Sequence, residues 1–408
     1  MNILLINHYA GSKRHGMEYR PYYMAREWQR MGHRVRIVAA SNSHVRSVTP
    51  QVEGSLQRED IDGIEYFWIR TPSYQGNGVW RAFNMLTFVS GLYRHGSELT
   101  AQFRPDSVIA SSTYPLDVYP AHRIARRSGA KLIFEVHDLW PLSPMELGGM
   151  SRWHPFIAAM QFAENFACRN CDALVSMLPK AEGHLRAHGL AAGKFQYIPN
   201  GIDASEWTTQ LEALSNEVRA KLEFLKASGR FLVGYAGAHG LANALDALIH
   251  AAQLTQDEPI SFVLVGQGPE KRHLEELARE LRLKNVEFMP PVPKSQIPAL
   301  LDSFDALFIG LQRQPLFRFG ISPNKLMDYM MAGKPIIHSI EAGNDLVAEC
   351  GCGISIPPEN PVAIADAARA IAAMRVEERQ SMGARGKRFV LGNHDYRVLA
   401  TRFLEAMV

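Results

Sequence analysis

The chain has 408 residues and no apolar run long enough to cross a bilayer. Its longest, Ala82 to Tyr93 (AFNMLTFVSGLY), falls well short of the roughly 20 residues a spanning helix needs, so any membrane role is at the surface. No basic leader or cleavage site precedes the first strand-like run, Ile3 to Ile6, and the sequence therefore predicts a cytoplasmic protein. Cysteine is scarce: Cys168-x-x-Cys171 and Cys350-x-Cys352 are the only four. That set superficially offers thiolates to zinc, but the first pair sits where a helix runs into a buried strand, and free thiols with no metal site are the expectation. Strong charge of either sign is also missing, with a net of +3. Residues 1–205 hold 22 Lys+Arg against 17 Asp+Glu, and residues 206–408 hold 22 against 24. So dilute a surplus excludes a nucleic-acid footprint; it suits a first half that approaches anionic lipid, and equally an ordinary surface.

What is present is apolar material for two cores, 47% of the residues, in a chain longer than one core usually serves. Strand-length runs recur between helical patterns: ILLIN, HRVRIVAAS, IEYFWIR, SVIASS, KLIFEVH, ALVSM and FQYIPN, then FLVGYAG, SFVLVG, VEFMP, ALFIGL, KPIIHS and GISIP. The alternation predicts βα units and two parallel sheets, with a hinge near residues 200–210 after the turn-like Pro199-Asn200-Gly201. A last helix, 395–407, follows the breaker Gly392-Asn393. Two such lobes facing each other place the carboxyl ends of both sheets at one cleft, where open parallel sheets bind ligands.

Four segments carry candidate chemistry. The loop Asn7 to Glu18, with Gly11 and Gly16, opens a helix and could admit an anion, although glycine there can equally be only a turn, and Glu18 and Arg20 only surface charges. His137-Asp138 closes a buried strand, where a sugar-contacting group belongs. Ser322 to Pro335 (SPNKLMDYMMAGKP) reads as a helix with Ser322 as N-cap and Pro323 at the first position. Its amides at Asn324, Lys325 and Leu326, with the Lys325 ammonium, suit a diphosphate, and Asp328 a ribose; a plain capped helix gives the same pattern. Tyr235 to Gly240 supplies small residues, Gly237 among them, for close approach to phosphate, with His239 expected to point at the ligand. Val265 to Lys271 (VGQGPEK) is only a partial dinucleotide fingerprint and reads as a turn.

These residues in this order resemble the retaining glycosyltransferases of family 4, over nearly the whole chain. The shared landmarks are the N-terminal glycine loop, Gly32-His33, His137-Asp138, Ile198 to Asp203, Gly266-Gln267-Gly268-Pro269 and Asp328 to Pro335. HGMEYRPYYMAREWQRMGH, GLANALDALIHAA and SPNKLMDYMMAGKP look closest to the L-fucosamine transferases of bacterial O-antigen and capsule assembly. The resemblance implies an α/β GT-B fold, two Rossmann-like domains with parallel sheets facing an interdomain cleft: an acceptor-binding domain at 1–203, a nucleotide-sugar-binding domain at 204–390, and a C-terminal helix at 391–408 crossing back. It implies that Gly16 lies by the donor diphosphate, that His137 contacts the transferred sugar, and that Asp328 stands for the glutamate that holds the ribose. Three positions depart from the family pattern. Its earlier glutamate falls at Gly320, and the Arg and Lys that clamp the diphosphate fall near Ala238 and Asn243, which leaves Lys325, the helix start, His239, Arg313 or Arg318 to meet the leaving-group charge.

The reading is thus a metal-independent retaining transferase without cofactor. It would move an N-acetylated hexosamine such as L-FucNAc from a UDP-sugar to a lipid-linked saccharide at the inner face of the cytoplasmic membrane. His137, Asp138 and Lys325 are its catalytic candidates; Gly16, Gly237, His239, Ser322, Pro323, Asn324, Lys325, Leu326 and Asp328 would bind the donor. A UDP-sugar 2-epimerase of the same fold would need spare acid/base carboxylates in the cleft, and a non-catalytic donor-binding scaffold would need none. Membrane contact through Val79 to Tyr93, led by Trp80, Phe83, Met85, Leu86 and Phe88 with Arg81 and Arg94, competes with a plain core helix.

Overall fold

In a computed structural model of the chain, the described residues are 1–76, 78–208 and 212–408. Thr209 and Gln210 of the expected hinge lie outside them. By internal packing the chain forms two units, Met1–Asn200 with Tyr396–Val408, and Gly201–Asp395.

The first unit is built on eight strands: β1 (Asn2–Ile6), β2 (Arg34–Ala40), β3 (Leu56–Ile61), β4 (Ile64–Ile69), β5 (Ser107–Ala110), β6 (Lys131–Val136), β7 (Ala173–Ser176) and β8 (Phe195–Tyr197). They lie in the order β3-β4-β2-β1-β5-β6-β7-β8. Every pairing is parallel except β3 with β4, and Ile3 aligns with Val35 on one side and Ser107 on the other. The central run Ile3 to Ile6 is buried throughout, as expected of a parallel strand covered on both faces. Strand β3 was absent from the sequence reading. Its residues LQREDI are mostly polar, because it is an edge strand, and Asp62-Gly63, at φ 53° and 82°, turn it into β4.

The C-terminal helix Tyr396–Met407 belongs to this unit and packs on the helix Arg20–Arg30. Tyr396 stacks on Tyr23 at 4.9 Å, and Trp28 meets Phe403 at 5.2 Å while donating to the Ala400 carbonyl. The break before this helix falls at His394-Asp395; Gly392-Asn393, expected to be the breaker, instead end the helix Val376–Asn393.

The second unit holds six parallel strands: β9 (Phe231–Ala236), β10 (Ile260–Val265), β11 (Val286–Met289), β12 (Ala306–Gly310), β13 (Ile336–Ser339) and β14 (Gly353–Ile356). Their order is β11-β10-β9-β12-β13-β14. Helices such as Lys271–Glu280 connect them, Leu274 and Ala278 facing the core. Among the described residues, no helix is long and apolar enough to cross a membrane.

Candidate active site

In the first sheet the chain reverses direction of growth at β1 and β5, where an open parallel sheet leaves a crevice beyond its carboxyl ends. Three residues from those ends meet. His137, just after β6, sets Nε2 at 2.9 Å from the Ser111 hydroxyl and 3.3 Å from Glu135 Oε2. Ser111 donates its own proton to Glu135 Oε2 at 2.5 Å. Behind them Arg20 donates through Nε to Glu135 Oε1 at 2.8 Å, and through its other nitrogens to the carbonyls of Ile198 and Pro199. Burial pushes the Glu135 carboxyl up, but the Arg20 guanidinium, His137 and Ser111 outweigh it and hold the group near about 2. A carboxylate accepts only, and the serine proton is spent, so His137 carries its hydrogen on Nε2. Arg20, for which the sequence left a plain surface charge as an equal reading, is 1% exposed and is the buried counterion of Glu135.

Asp138 beside it accepts from its own Leu139 amide at 2.9 Å, which shapes the turn after β6. Asp117, close by, is pushed up to about 7 by burial, against hydrogen bonds from Ser112. Gly16 lies in a tight turn at φ 89°, and its amide is already donated to the Ser12 carbonyl at 2.8 Å. Gly16 therefore shapes the loop and offers no free N–H to a diphosphate.

In the second sheet the reversal lies between β9 and β12. A pocket of about 290 Å³ opens beyond β9, β10 and β11, lined by Gly237, Gly266, Gln267, Pro291, Val292 and Ile297. Glycine is required here by space: a Cβ on Gly266 would lie 1.9 Å from the Gly237 carbonyl oxygen, and one on Gly237 would lie 2.6 Å from Lys325 Cε. Lys325 reaches this point from the helix Asn324–Ala332. Its ammonium donates to the Tyr235 hydroxyl at 2.8 Å and to Asn243 Oδ1 at 3.2 Å, and lies 4.2 Å above the Tyr235 ring. No carboxylate pairs with it among the described residues, and burial brings its pKa down to about 8. The result is a sheltered positive charge held only by neutral groups.

The helix starts one residue later than expected. Pro323 is its N-cap rather than its first residue, Ser322 lies outside it, and the Leu326 amide is donated to the Pro323 carbonyl. Asn324 and Lys325 remain as the first-turn amides. Asp328 follows one turn on, half-buried. Burial and Glu206 raise its carboxyl to about 6 against Lys294 and a hydrogen bond with Trp207. His239 departs most from expectation. It is fully buried, both ring nitrogens lack partners among the described residues, and burial with Lys271 and Lys325 lowers it to about 4, so the ring is neutral. Arg313 is exposed and paired with Glu341 at 3.1 Å, and Arg318 donates to the Pro315 carbonyl. Gly320, where the family pattern has glutamate, sits at φ 97° and ψ 171°, a conformation in which a Glu side chain would be strained.

Arg20, Ser111 and Glu135 were missed in the sequence. A charged residue inside the apolar strand KLIFEV, and an arginine followed by proline at a helix start, were the available signals.

Known proteins show the same architecture. Residues 15–201 match the family model described as "Glycosyl transferase 4-like domain", and residues 230–373 that described as "Glycosyl transferases group 1". The chain is 24% identical over 351 residues to the "Putative colanic acid biosynthesis glycosyl transferase WcaI" of Escherichia coli (strain K12), covering 83% of this chain and 84% of that protein. Among solved structures, a sucrose-phosphate synthase from Thermosynechococcus elongatus superposes with a TM-score of 0.70 at 16% identity, covering 99% of this chain and 97% of the other. Anabaena Alr3699/HepE in complex with UDP does so with 0.67 at 15% identity, over 99% of each chain.

Proposed function

The chain is a glycosyltransferase of the GT-B fold, and we propose that it retains anomeric configuration while moving a sugar from a UDP-sugar to a lipid-linked saccharide in surface polysaccharide assembly. The transferred sugar in this reading is an N-acetylated hexosamine such as L-FucNAc. The observation that carries the donor site is Lys325: a half-buried ammonium without a carboxylate partner, beside strand ends cleared by Gly237 and Gly266 and at the start of a helix. Such a group favours a diphosphate as it bears the leaving-group charge, with the amides of Asn324 and Lys325 adding to it. The UDP bound to HepE and the colanic acid role in the name of WcaI support the donor class and the pathway class.

In the proposed reaction, His137 Nδ1 contacts the sugar, and Glu135 with Ser111 positions the ring. Asp328 accepts from the ribose. No side chain is assigned as nucleophile; positioning and leaving-group stabilisation supply the rate. Calorimetric titration with UDP tests the donor site. Binding by the wild type that weakens about 10-fold or more in Lys325→Met and in Asp328→Asn is the expected result. UDP affinity unchanged in both variants would remove the site from the second unit's strand ends.

Membrane contact has a narrower basis than the sequence indicated. On the helix Val79–Thr100, Trp80 and Phe83 are 66% and 51% exposed, and Val79 and Leu86 are exposed beside them, while Met85 and Phe88 are buried. Arg81 turns inward to the Tyr9 hydroxyl, which leaves Arg94 as the flanking cation of the pair. We assign this face to the anionic membrane that carries the lipid-linked acceptor. Co-sedimentation with anionic vesicles at low salt, lost in Trp80→Glu/Phe83→Glu, is expected; no sedimentation of the wild type would end the assignment.

A further inference from the structure

Away from both sets of strand ends, the first unit contains a second cluster of chemistry. Glu164 lies on the helix Pro155–Asn170; His184 lies in the short helix Glu182–Ala187, and His188 caps that helix four residues on. The spacing puts both imidazoles on one face, their ring centroids 4.2 Å apart. His184 Nε2 stands 3.1 Å from Glu164 Oε1, and His188 Nε2 stands 4.0 Å from Glu164 Oε2. One ligand atom from each residue lies within 4.8 Å of the others.

Hydrogen bonds tie the three residues together. Glu164 is 2% exposed, and its partners among the described residues are Gln161, at 2.8 Å, and the two histidines; no Lys or Arg pairs with it. His188 Nδ1 lies 2.8 Å from the His184 carbonyl oxygen, which can only accept, so Nδ1 carries the hydrogen. His188 Nε2 is then the ring atom that faces Glu164 Oε2, at 4.0 Å.

A tetrahedral zinc with bonds of about 2.0–2.1 Å sets its ligand atoms about 3.3 Å apart, a figure that the 3.1 Å and 4.0 Å separations bracket. The surrounding contacts are those that tune metal ligands. The His188 Nδ1–H is tied to a backbone carbonyl, and the Glu164 carboxylate is oriented by Gln161. Cys168, one turn beyond Glu164, stays outside the cluster, and burial raises its thiol so that it remains protonated.

We propose that Glu164, His184 and His188 form a site for one divalent transition-metal cation, with zinc(II) the best fit, which braces the helix Glu182–Ala187 against the helix Pro155–Asn170. Two neutral nitrogens and one carboxylate hold the ion, and a water takes the fourth position. Coordination through His184 Nε2 requires its single ring hydrogen to move from Nε2 to Nδ1; no proton is lost overall and no electron is transferred. The ion is structural and takes no part in the transfer of sugar.

The test uses the full chain, stripped with EDTA and titrated with zinc(II) in equilibrium dialysis, alongside its thermal unfolding midpoint and the absorption spectrum of the cobalt(II) form. One zinc per chain is expected, with a raised midpoint, affinity lower by about 10-fold or more in Glu164→Gln and in His188→Gln, and a cobalt spectrum without thiolate charge transfer. The wild-type spectrum reads the ligand set even where a variant folds poorly. Absent binding, binding unchanged in both variants, or a thiolate-to-cobalt band would overturn the proposal.

Discussion

Lys325 and Glu135 are opposite solutions to the same problem, a charge inside protein. Glu135 has its counterion, Arg20, within 2.8 Å, and is held ionised; Lys325 has only a phenol, an amide oxygen and a ring, and its pKa falls to about 8. Because the charged form of Lys325 is what attracts a diphosphate, UDP affinity should fall as pH rises through about 8 in the wild type and be flat there in Lys325→Met. A titration series from pH 7 to pH 9 reads this. For Glu135 the sign is reversed. Its folded carboxyl, near about 2, lies below that of an unfolded glutamate, so the stability it contributes is full above about pH 4.5 and is lost as pH falls from there toward 2. Glu135→Gln leaves Arg20 buried and uncompensated, at a cost of roughly 3–5 kcal/mol, and should abolish that acid-dependent part of the unfolding profile.

The candidate residues that were legible singly were those on strand ends and helix starts: His137, Lys325 and Asp328. Their partners were not. Ser111 and Glu135 come from different strands, and Arg20 from a helix more than a hundred residues before Glu135, so only the β1-β5-β6 order brings them together. His239, after a strand end like the others, is buried with Gly266 and Gly268 packed against it.

At the scale of elements, apolar runs marked the central parallel strands most clearly, because a strand buried on both faces must be apolar along its length, while the edge strands β8, β11 and β14 are only partly buried. The edge strand β3 has no such need, and its polar residues hid it; the Asp62-Gly63 pair was the signal that could have found it. Gly63 holds φ 82°, and a Cβ there would make only ordinary contact with the Gln29 amide at 3.7 Å, so Gly63→Val meets conformational strain rather than a clash. Denaturant unfolding should show a loss of about 1–2 kcal/mol with an unchanged m-value. The one-residue shift at the helix Asn324–Ala332 follows from Pro323, whose extended ψ of 124° makes it the cap, although Ser322 is the residue type that usually caps.

At the scale of the whole molecule, the chain carries two parallel-sheet units, each with a reversal point and each with one candidate cluster there. The fold was legible because alternation of strand and helix is written along the entire chain. The candidate chemistry was legible at strand ends and helix starts, to which the resemblance added roles, and Gly320, Ala238 and Asn243 remain the places where this chain differs from the pattern. Asn243 now has a part of its own, holding Lys325 by its side-chain oxygen and the Ala238 carbonyl by its nitrogen.

The most direct measurement is release of nucleoside diphosphate from a panel of UDP-, GDP- and dTDP-sugars, with Lys325→Ala and Asp328→Ala as controls and a lipid-linked saccharide present. Turnover with a UDP-sugar that falls by about 100-fold in Lys325→Ala, in keeping with the loss of one leaving-group contact, is the predicted result. UDP binding without release from any donor would contradict it and would make the chain a donor-binding scaffold.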